Sequence, residues 1–472
     1  MYYATFETFS IFWTESLFSF KCLHEVLIDC REKKILGVWF IVDKFFKLEE
    51  RGTTVKKEFL AGLTTFFSMA YIIFVNPNVL GAAGMDTGAV FTATILAAII
   101  GTLLMGLYAN FPVALAPGMG LNAFFAYTVV LVMGYSWQQA LAGTFISGIL
   151  FIILSLTGLR EFIINSIPKS LKHAVGTGIG FFIAFLGFQN AGIIVNNEST
   201  LVGLGDFKDF SVLIAILGLI ITLILLVRKI PGAIFIGMFA TAVIGMLLGV
   251  VEIPTQIFAP IPSLKPTFGA LFEALPTIFT KDMIVVIFSF LFMDFFDTAG
   301  TLMAVGFRAG FVNDKGHLLN ANRALLADST ATVVGSILGT SSTTSFVESL
   351  SGVEVGGRTG LTSVFTAICF SLMLFCSGLL SVVTPSVTAP ALITVGILMA
   401  SSLSSIEWGK IEVAIPAFVT IIMMILSYSI AEGIAAGFLF YPITMLASKR
   451  GKEIHPAMWV LTVIFLAHFI MS

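Results

Sequence analysis

From Phe59 onward the chain alternates long apolar runs with short polar breaks. About 20 residues cross the hydrocarbon core of a bilayer as a helix, and the runs reach that length. The pattern predicts segments at about 59–79, 87–108, 112–133, 138–157, 171–190, 211–227 and 233–252. After a more polar connection over 253–281, it predicts a second set at about 282–305, 322–338, 340–356, 358–380, 388–405, 413–430 and 431–448. These make about fourteen transmembrane segments of an all-α polytopic membrane protein. The two sets are spaced alike. Since seven is odd, the second must enter the membrane with the opposite orientation. The expected architecture is therefore a 7+7 inverted repeat, 42–252 and 282–448.

Two segments break the apolar pattern, at matching places in the two sets. The third reads PVALAPGMGLNAFFAY from Pro112, where Pro112 and Pro117 lack an N–H and Gly118 and Gly120 loosen the turn. The tenth contains GTSSTTSFVE, Gly339 to Glu348, with six Ser or Thr residues and one carboxylate. Non-helical backbone at membrane depth is tolerated only where protein buries it or where it lines a cavity. One such stretch reads equally well as a packing kink. Two in register point to broken helices around a midplane substrate site, as in inverted-repeat transporters. Helix is expected to restart near Leu121–Asn122 and near Ser345, after Thr343 and Thr344, aiming two sets of N–H groups at one cavity.

Lys and Arg placement orients the chain. Lys56, Lys57, Arg160, Lys169, Lys172, Arg228, Lys229, Arg308, Lys315, Arg358 and Lys410 all fall on one side if the N-terminus is cytoplasmic. Lys449, Arg450 and Lys452 join them only if Val413 to Ser448 crosses twice, turning near Ala431-Glu432-Gly433. The last apolar run, Met458 to Met471, is short, so 449–472 is expected to lie at the interface or to re-enter. Residues 1–41 differ in character: aromatics are mixed with Glu7, Glu15, Lys21, Glu25 and Asp29, without a signal-peptide pattern. They are expected to be a non-native or disordered N-terminal extension, with translation in the first case starting near Val42.

Composition fits the membrane reading. Of 472 residues 57% are hydrophobic and 11% charged, with a mean hydropathy of +1.02, against about 25% charge in soluble domains. A net charge of -2 leaves no basic surplus for nucleic acid. The four cysteines have no metal spacing. No cofactor, metal cluster, nucleotide-binding loop or catalytic domain is expected, so ATP-driven transport and enzyme activity are not.

The eighth segment, FSFLFMDFFDTAGTLMAVG, places Asp294 and Asp297 three residues apart, near one helix face. Each is expensive in a membrane unless paired or protonated. With Glu348 they would set carboxylates near one another in a dry cavity, an arrangement that permits proton uptake near neutral pH. Phe124, Phe295 and Phe346 are candidates to sandwich a planar ring.

PNVLGAAGMD, PGMGLNAFFAYTVV, DFFDTAGTL, ILGTSSTTSFVESLSGV, GGRTGLT and YSIAEGIAAGF together resemble the AzgA-like purine permeases of the nucleobase–cation symporter superfamily, over nearly all of Phe45 to Ser448. The resemblance implies core and gate domains and proton-coupled uptake of hypoxanthine, guanine or adenine across the cell membrane. It ties Asn122, Asp294, Asp297 and Glu348 to transport, and gate-domain homodimers are common in the superfamily. Two departures stand out: residues 1–41 have no family counterpart, and Ile425 stands where Pro is expected. The chemistry agrees, since a carboxylate accepts two N–H bonds in one plane and a backbone N–H or Asn122 can donate to an oxo group. Glu348, Asp294, Asn122, Thr344, Ser345 and Phe346 are the expected substrate contacts, with Asp294 and Asp297 the proton carriers. A uracil or xanthine permease is the nearest alternative. An anion transporter is opposed by the acids, and an intramembrane aspartyl protease by both aspartates sharing one helix.

Overall fold

The computed structural model of the protein describes residues 42–157, 168–312, 318–456 and, beyond these, 458, 459, 462, 463, 465 and 466. The expected extension 1–41 and most of the last apolar run lie outside the described residues. The described residues up to Thr54 belong to a compact unit of their own, with helix at 42–46 and a turn in which Glu49 N donates to the Asp43 carboxylate at 3.1 Å.

From Val55 a second unit begins, and it is mostly helix. Helices α1 (Val55–Met69) and α2 (Ile72–Ala82) follow one another across Ala70 and Tyr71. Helix α3 (Thr87–Leu104) starts where the Asp86 carboxylate accepts from Ala89 N at 2.7 Å, and a wider π turn over Met105–Ala109 continues it. Strand β1 (Leu115–Pro117) leads into α4 (Met119–Ala123), which runs on as π-wound helix over Phe124–Val132. Helices α5 (Trp137–Thr157) and α6 (Lys169–Asn190), the hairpin β2 (Ile194–Asn197) and β3 (Leu201–Leu204), α7 (Phe210–Val227) and α8 (Ala233–Leu247) follow. Only short helical turns interrupt the connection to α9 (Lys281–Ala309). Then come α10 (Ala321–Leu338), β4 (Thr343–Ser345), α11 (Ser349–Val355), α12 (Gly360–Met373), α13 (Pro385–Met399), α14 (Ile411–Leu426) and α15 (Ile430–Ala447).

Among the described residues, nine helices are long and apolar enough to cross a membrane, counting α1 with α2 as one of 28 residues. Helices α8 and α14 are apolar but shorter. Burial separates centre from rim: 72% of the apolar window of α1–α2 is buried inside the protein, against 28% for α7. An all-round apolar helix such as α7 suits a lipid-facing position, whereas α10 turns Asp328, Ser329, Thr332 and Ser336 inward.

The stretch from Val413 to Ser448 folds as two packed helices, and the turn comes at Ser427–Ser429, a few residues before the expected 431–433. Tyr428 takes the positive φ of 55° and the Ser429 hydroxyl caps α15 by accepting from Glu432 N. Thr444 Oγ1 donates to Glu412 O at 2.7 Å, and Arg450 pairs with the Glu412 carboxylate at 2.5 Å, so the helices run antiparallel. Ile425 lies in the last turn of α14, which continues to Leu426 without the expected proline.

Candidate functional site

Strands β1 and β4 pair antiparallel, with Leu115 opposite Ser345, Ala116 opposite Thr344 and Pro117 opposite Thr343. Gly118 N to Ser342 O and Phe346 N to Ala114 O, both 3.0 Å, extend the ladder at its two ends. A two-stranded ribbon has two open edges, and inside a protein each needs partners. On the β1 edge Leu115 N donates to Thr102 Oγ1 at 2.9 Å, and that hydroxyl donates back to Leu115 O at 3.1 Å. Pro117 shares the outward alternation of Leu115, so its missing N–H costs the ladder nothing. On the β4 edge Thr332 Oγ1 donates to Thr343 O at 3.0 Å. The strands cross closely: a Cβ on Gly118 would come within 2.6 Å of Thr344 Cγ2.

Helix restarts at Met119 and at Ser349, where Leu121–Asn122 and Ser345 are expected from sequence. The reason is the ladder, which holds 343–345 extended and releases the other chain at Gly118. Glu348 thereby becomes the N-cap residue of α11.

Asp294 and Thr298, one turn apart on α9, face Asp328 and Thr332, one turn apart on α10, with Thr343, Thr344 and Ser345 of β4 alongside; all seven are buried. Thr298 Oγ1 and Ser345 Oγ each donate to the Asp328 carboxylate at 2.7 Å, one to each oxygen. Thr344 and Thr298 share a hydroxyl–hydroxyl bond of 2.8 Å. Thr332 Oγ1 lies 2.9 Å from Asp294 Oδ2, while Asp294 Oδ1 makes no hydrogen bond.

The sequence expectation that Asp294 and Asp297 act from one face holds only loosely. Three residues leave the two side chains about 60° apart around the helix, and at that offset Asp294 is buried while Asp297 is exposed. Asp297 lies within electrostatic range of Glu348. Glu348, half-buried, accepts the Tyr71 hydroxyl at 2.7 Å. Asn122 is buried, its Oδ1 accepting from Ser341 Oγ.

The aromatic candidates divide. Phe124 stacks edge-on against Phe290 at 4.8 Å between ring centroids, one turn before Asp294. Phe346 is buried in the same large apolar cluster. Phe295 points elsewhere, into a separate cluster against Phe151 at 5.4 Å. Sequence reading passed over Asp328, Thr298, Thr332 and Tyr71. For Asp328 a signal existed: one carboxylate inside the apolar run ALLADSTATVVG carries the same cost as Asp294. Tyr71, in SMAYIIF, offers none.

Residues 56–436 match the family model described as "Permease family", Xan_ur_permease. The chain is 56% identical over 435 residues to "Guanine/hypoxanthine permease PbuG" of Bacillus subtilis, covering 90% of this chain and 99% of that protein. It is 44% identical over 426 residues to "Adenine permease AdeP" of Escherichia coli, covering 90% and 95% respectively. Among solved structures, the transmembrane domain of the cyanobacterial bicarbonate transporter BicA superposes with a TM-score of 0.57 at 15% identity, over 83% of this chain and 97% of that one. That last likeness concerns the fold alone.

Proposed function

Because the chain belongs to the permease family, we propose that it is a secondary active permease importing purine nucleobases, hypoxanthine, guanine or adenine, by proton symport with alternating access. The observation that carries the reading is the gathering of Asp294, Asp297, Asp328 and Glu348 around the β1–β4 crossing of a multi-pass membrane protein. Acids at that depth are costly and are kept for function.

In this reading β1–α4 and β4–α11 are the interrupted third and tenth of fourteen segments, in two inverted repeats, 42–252 and 282–448, joined by 253–281. The N-terminus is cytoplasmic, the membrane is the cell membrane, 449–472 lies at the interface, and core and gate domains move against one another. The purine edge donates N–H to Glu348, and Asn122 turns its amide Nδ2 to an oxo group, since Ser341 holds its Oδ1. Thr344, Ser345 and Phe346 shape the wall.

Hydrogen inventory supports Asp294 as proton carrier. Thr332 has one hydroxyl hydrogen and two neighbouring acceptors, Thr343 O at 3.0 Å and Asp294 Oδ2 at 2.9 Å. If it satisfies the strand carbonyl, Asp294 keeps its contact only by donating a proton of its own. Asp297, exposed and near Glu348, is the second choice. A bicarbonate-type anion substrate is disfavoured by the same acids.

The test is radiolabelled hypoxanthine uptake, competed by guanine, adenine, xanthine and uracil, in cells lacking their own permeases. Competition by purines and not by uracil is expected; uptake of uracil in place of purines overturns the reading.

A further inference from the structure

Tyr71 occupies the junction where α1 gives way to α2. Here the helix tightens: Ile73 N bonds Ala70 O at 3.2 Å and Phe74 N bonds Tyr71 O at 3.1 Å, i to i+3 contacts inside an apolar span of 28 residues. Its ring is 1% exposed and packed in the main apolar cluster, so the hydroxyl has one direction left. That hydroxyl donates to Glu348 Oε1 at 2.7 Å, 277 residues along the chain.

The contact is one of a series. Ser68 Oγ bonds Ser351 Oγ at 2.8 Å, and a Cβ on Gly352 would meet Ala61 O at 2.6 Å. Positions 61, 68 and 71 thus meet 352, 351 and 348 in descending order, so the two segments run in opposite directions. Ser351 Oγ also donates to Glu348 O at 2.7 Å, anchoring the backbone of the same residue. Glu348 is therefore held at its main chain from within α11 and at one side-chain oxygen from the α1–α2 junction.

We propose that Tyr71 is a positioning and selectivity residue for the purine site, fixing the Glu348 carboxylate by one oxygen and turning the other to the substrate. The inference rests on Glu348 binding the purine edge, as given under Proposed function. Its consequence follows from hydrogen-bond bookkeeping at Oε1. Without the phenol hydroxyl, Oε1 is an acceptor short of a donor, which is costly in a dry site. A purine with two neighbouring donors, such as guanine with N1–H and its 2-amino group, can serve both oxygens. Hypoxanthine has N1–H alone on that edge and cannot.

The experiment uses the full-length purified protein, with binding of radiolabelled hypoxanthine and guanine and uptake in proteoliposomes measured for Tyr71→Phe, Glu348→Gln and the double variant. Tyr71→Phe is expected to weaken hypoxanthine binding roughly tenfold and guanine binding clearly less, raising KM with little change in kcat. In the Glu348→Gln background the same change should add nothing, because the tyrosine acts through the carboxylate. Glu348→Asp, which withdraws the carboxylate from the hydroxyl without touching the tyrosine, should shift the guanine-to-hypoxanthine ratio in the same direction, and it decides the matter should Tyr71→Phe fail to fold. Equal loss for both purines, or losses that add in the double variant, overturn the proposal. If Glu348→Gln binds purines normally, the underlying site assignment fails. If it loses binding while Tyr71→Phe does not, only the role of Tyr71 fails.

Discussion

The two carboxylates on the α9–α10 side, Asp294 and Asp328, differ in kind from the two that look outward, Asp297 and Glu348. The first pair is sealed among Thr298, Thr332, Thr343, Thr344 and Ser345, and hydroxyls reach both oxygens of Asp328 and one of Asp294. Of the second pair Asp297 is exposed and Glu348 half-buried, and Glu348 receives a single side-chain donor, Tyr71. None of the four belongs to the helix-end ion pairs, such as Arg308–Glu354 and Arg450–Glu453, seen among the described residues. A carboxylate enclosed by hydroxyls is suited to holding or passing a proton, since hydroxyls can reverse their direction of donation. A carboxylate with lone pairs left free by the protein is suited to a ligand that brings its own donors. On this account the membrane acids are divided by surroundings: sealed Asp294 couples, the more open Glu348 binds, and Asp297 beside Glu348 is the second choice of proton carrier.

The comparison breaks most readily at Glu348. Glu348→Gln removes one charge-assisted interaction worth about 1.5–3 kcal/mol, a ten- to hundredfold loss of purine affinity. Equilibrium binding to the purified protein checks it, and near-normal affinity removes Glu348 from the site.

A smaller effect, of another kind, is expected at the sealed pair. Asp328→Asn forces the hydroxyls of Thr298 and Ser345 to reorganise around an amide, with a stability loss of about 1–3 kcal/mol. Asp297→Asn, at an exposed position, should cost less. Thermal unfolding of both variants in detergent sharpens the contrast, and equal melting temperatures remove it.

The crossing that brings the pairs together is tested by glycine. Gly118→Ala places a methyl 2.6 Å from Thr344 Cγ2, an overpacking of the kind that costs about 1–3 kcal/mol. Gly176→Ala on α6 meets nothing within 4 Å and should be neutral or slightly stabilising. Uptake at matched expression separates them. The smallest effect is expected at the far end of the chain: deleting Tyr2 to Ile41 should leave uptake unchanged, because these residues supply no apolar segment and no acid of the site.

Much of this was legible in the residues. The polar stretch Gly339 to Glu348 announced itself among apolar runs, and Asp294, Asp297 and Glu348 were conspicuous as acids where charge is costly. Periodicity could not show that β1 and β4 pair, because three-residue strands have no pattern of their own and the ladder joins residues more than 200 positions apart. The helix restarts shifted for that reason. Phe295, one residue beyond Asp294 on the helix, turns about 100° away from it and packs on Phe151 as a core residue. Asp328 is as visible in its apolar run as Asp294; only its partners Thr298 and Ser345 are hidden, since they come from other segments.

The most direct measurement is concentrative hypoxanthine uptake in proteoliposomes under an imposed pH gradient, with and without sodium, for the native chain and Asp294→Asn. The account predicts accumulation by the native chain that collapses with the pH gradient and ignores sodium, while Asp294→Asn binds and exchanges hypoxanthine without accumulating it. Accumulation that survives loss of the pH gradient, or that Asp294→Asn still performs, contradicts the division of labour between the sealed and the open carboxylates.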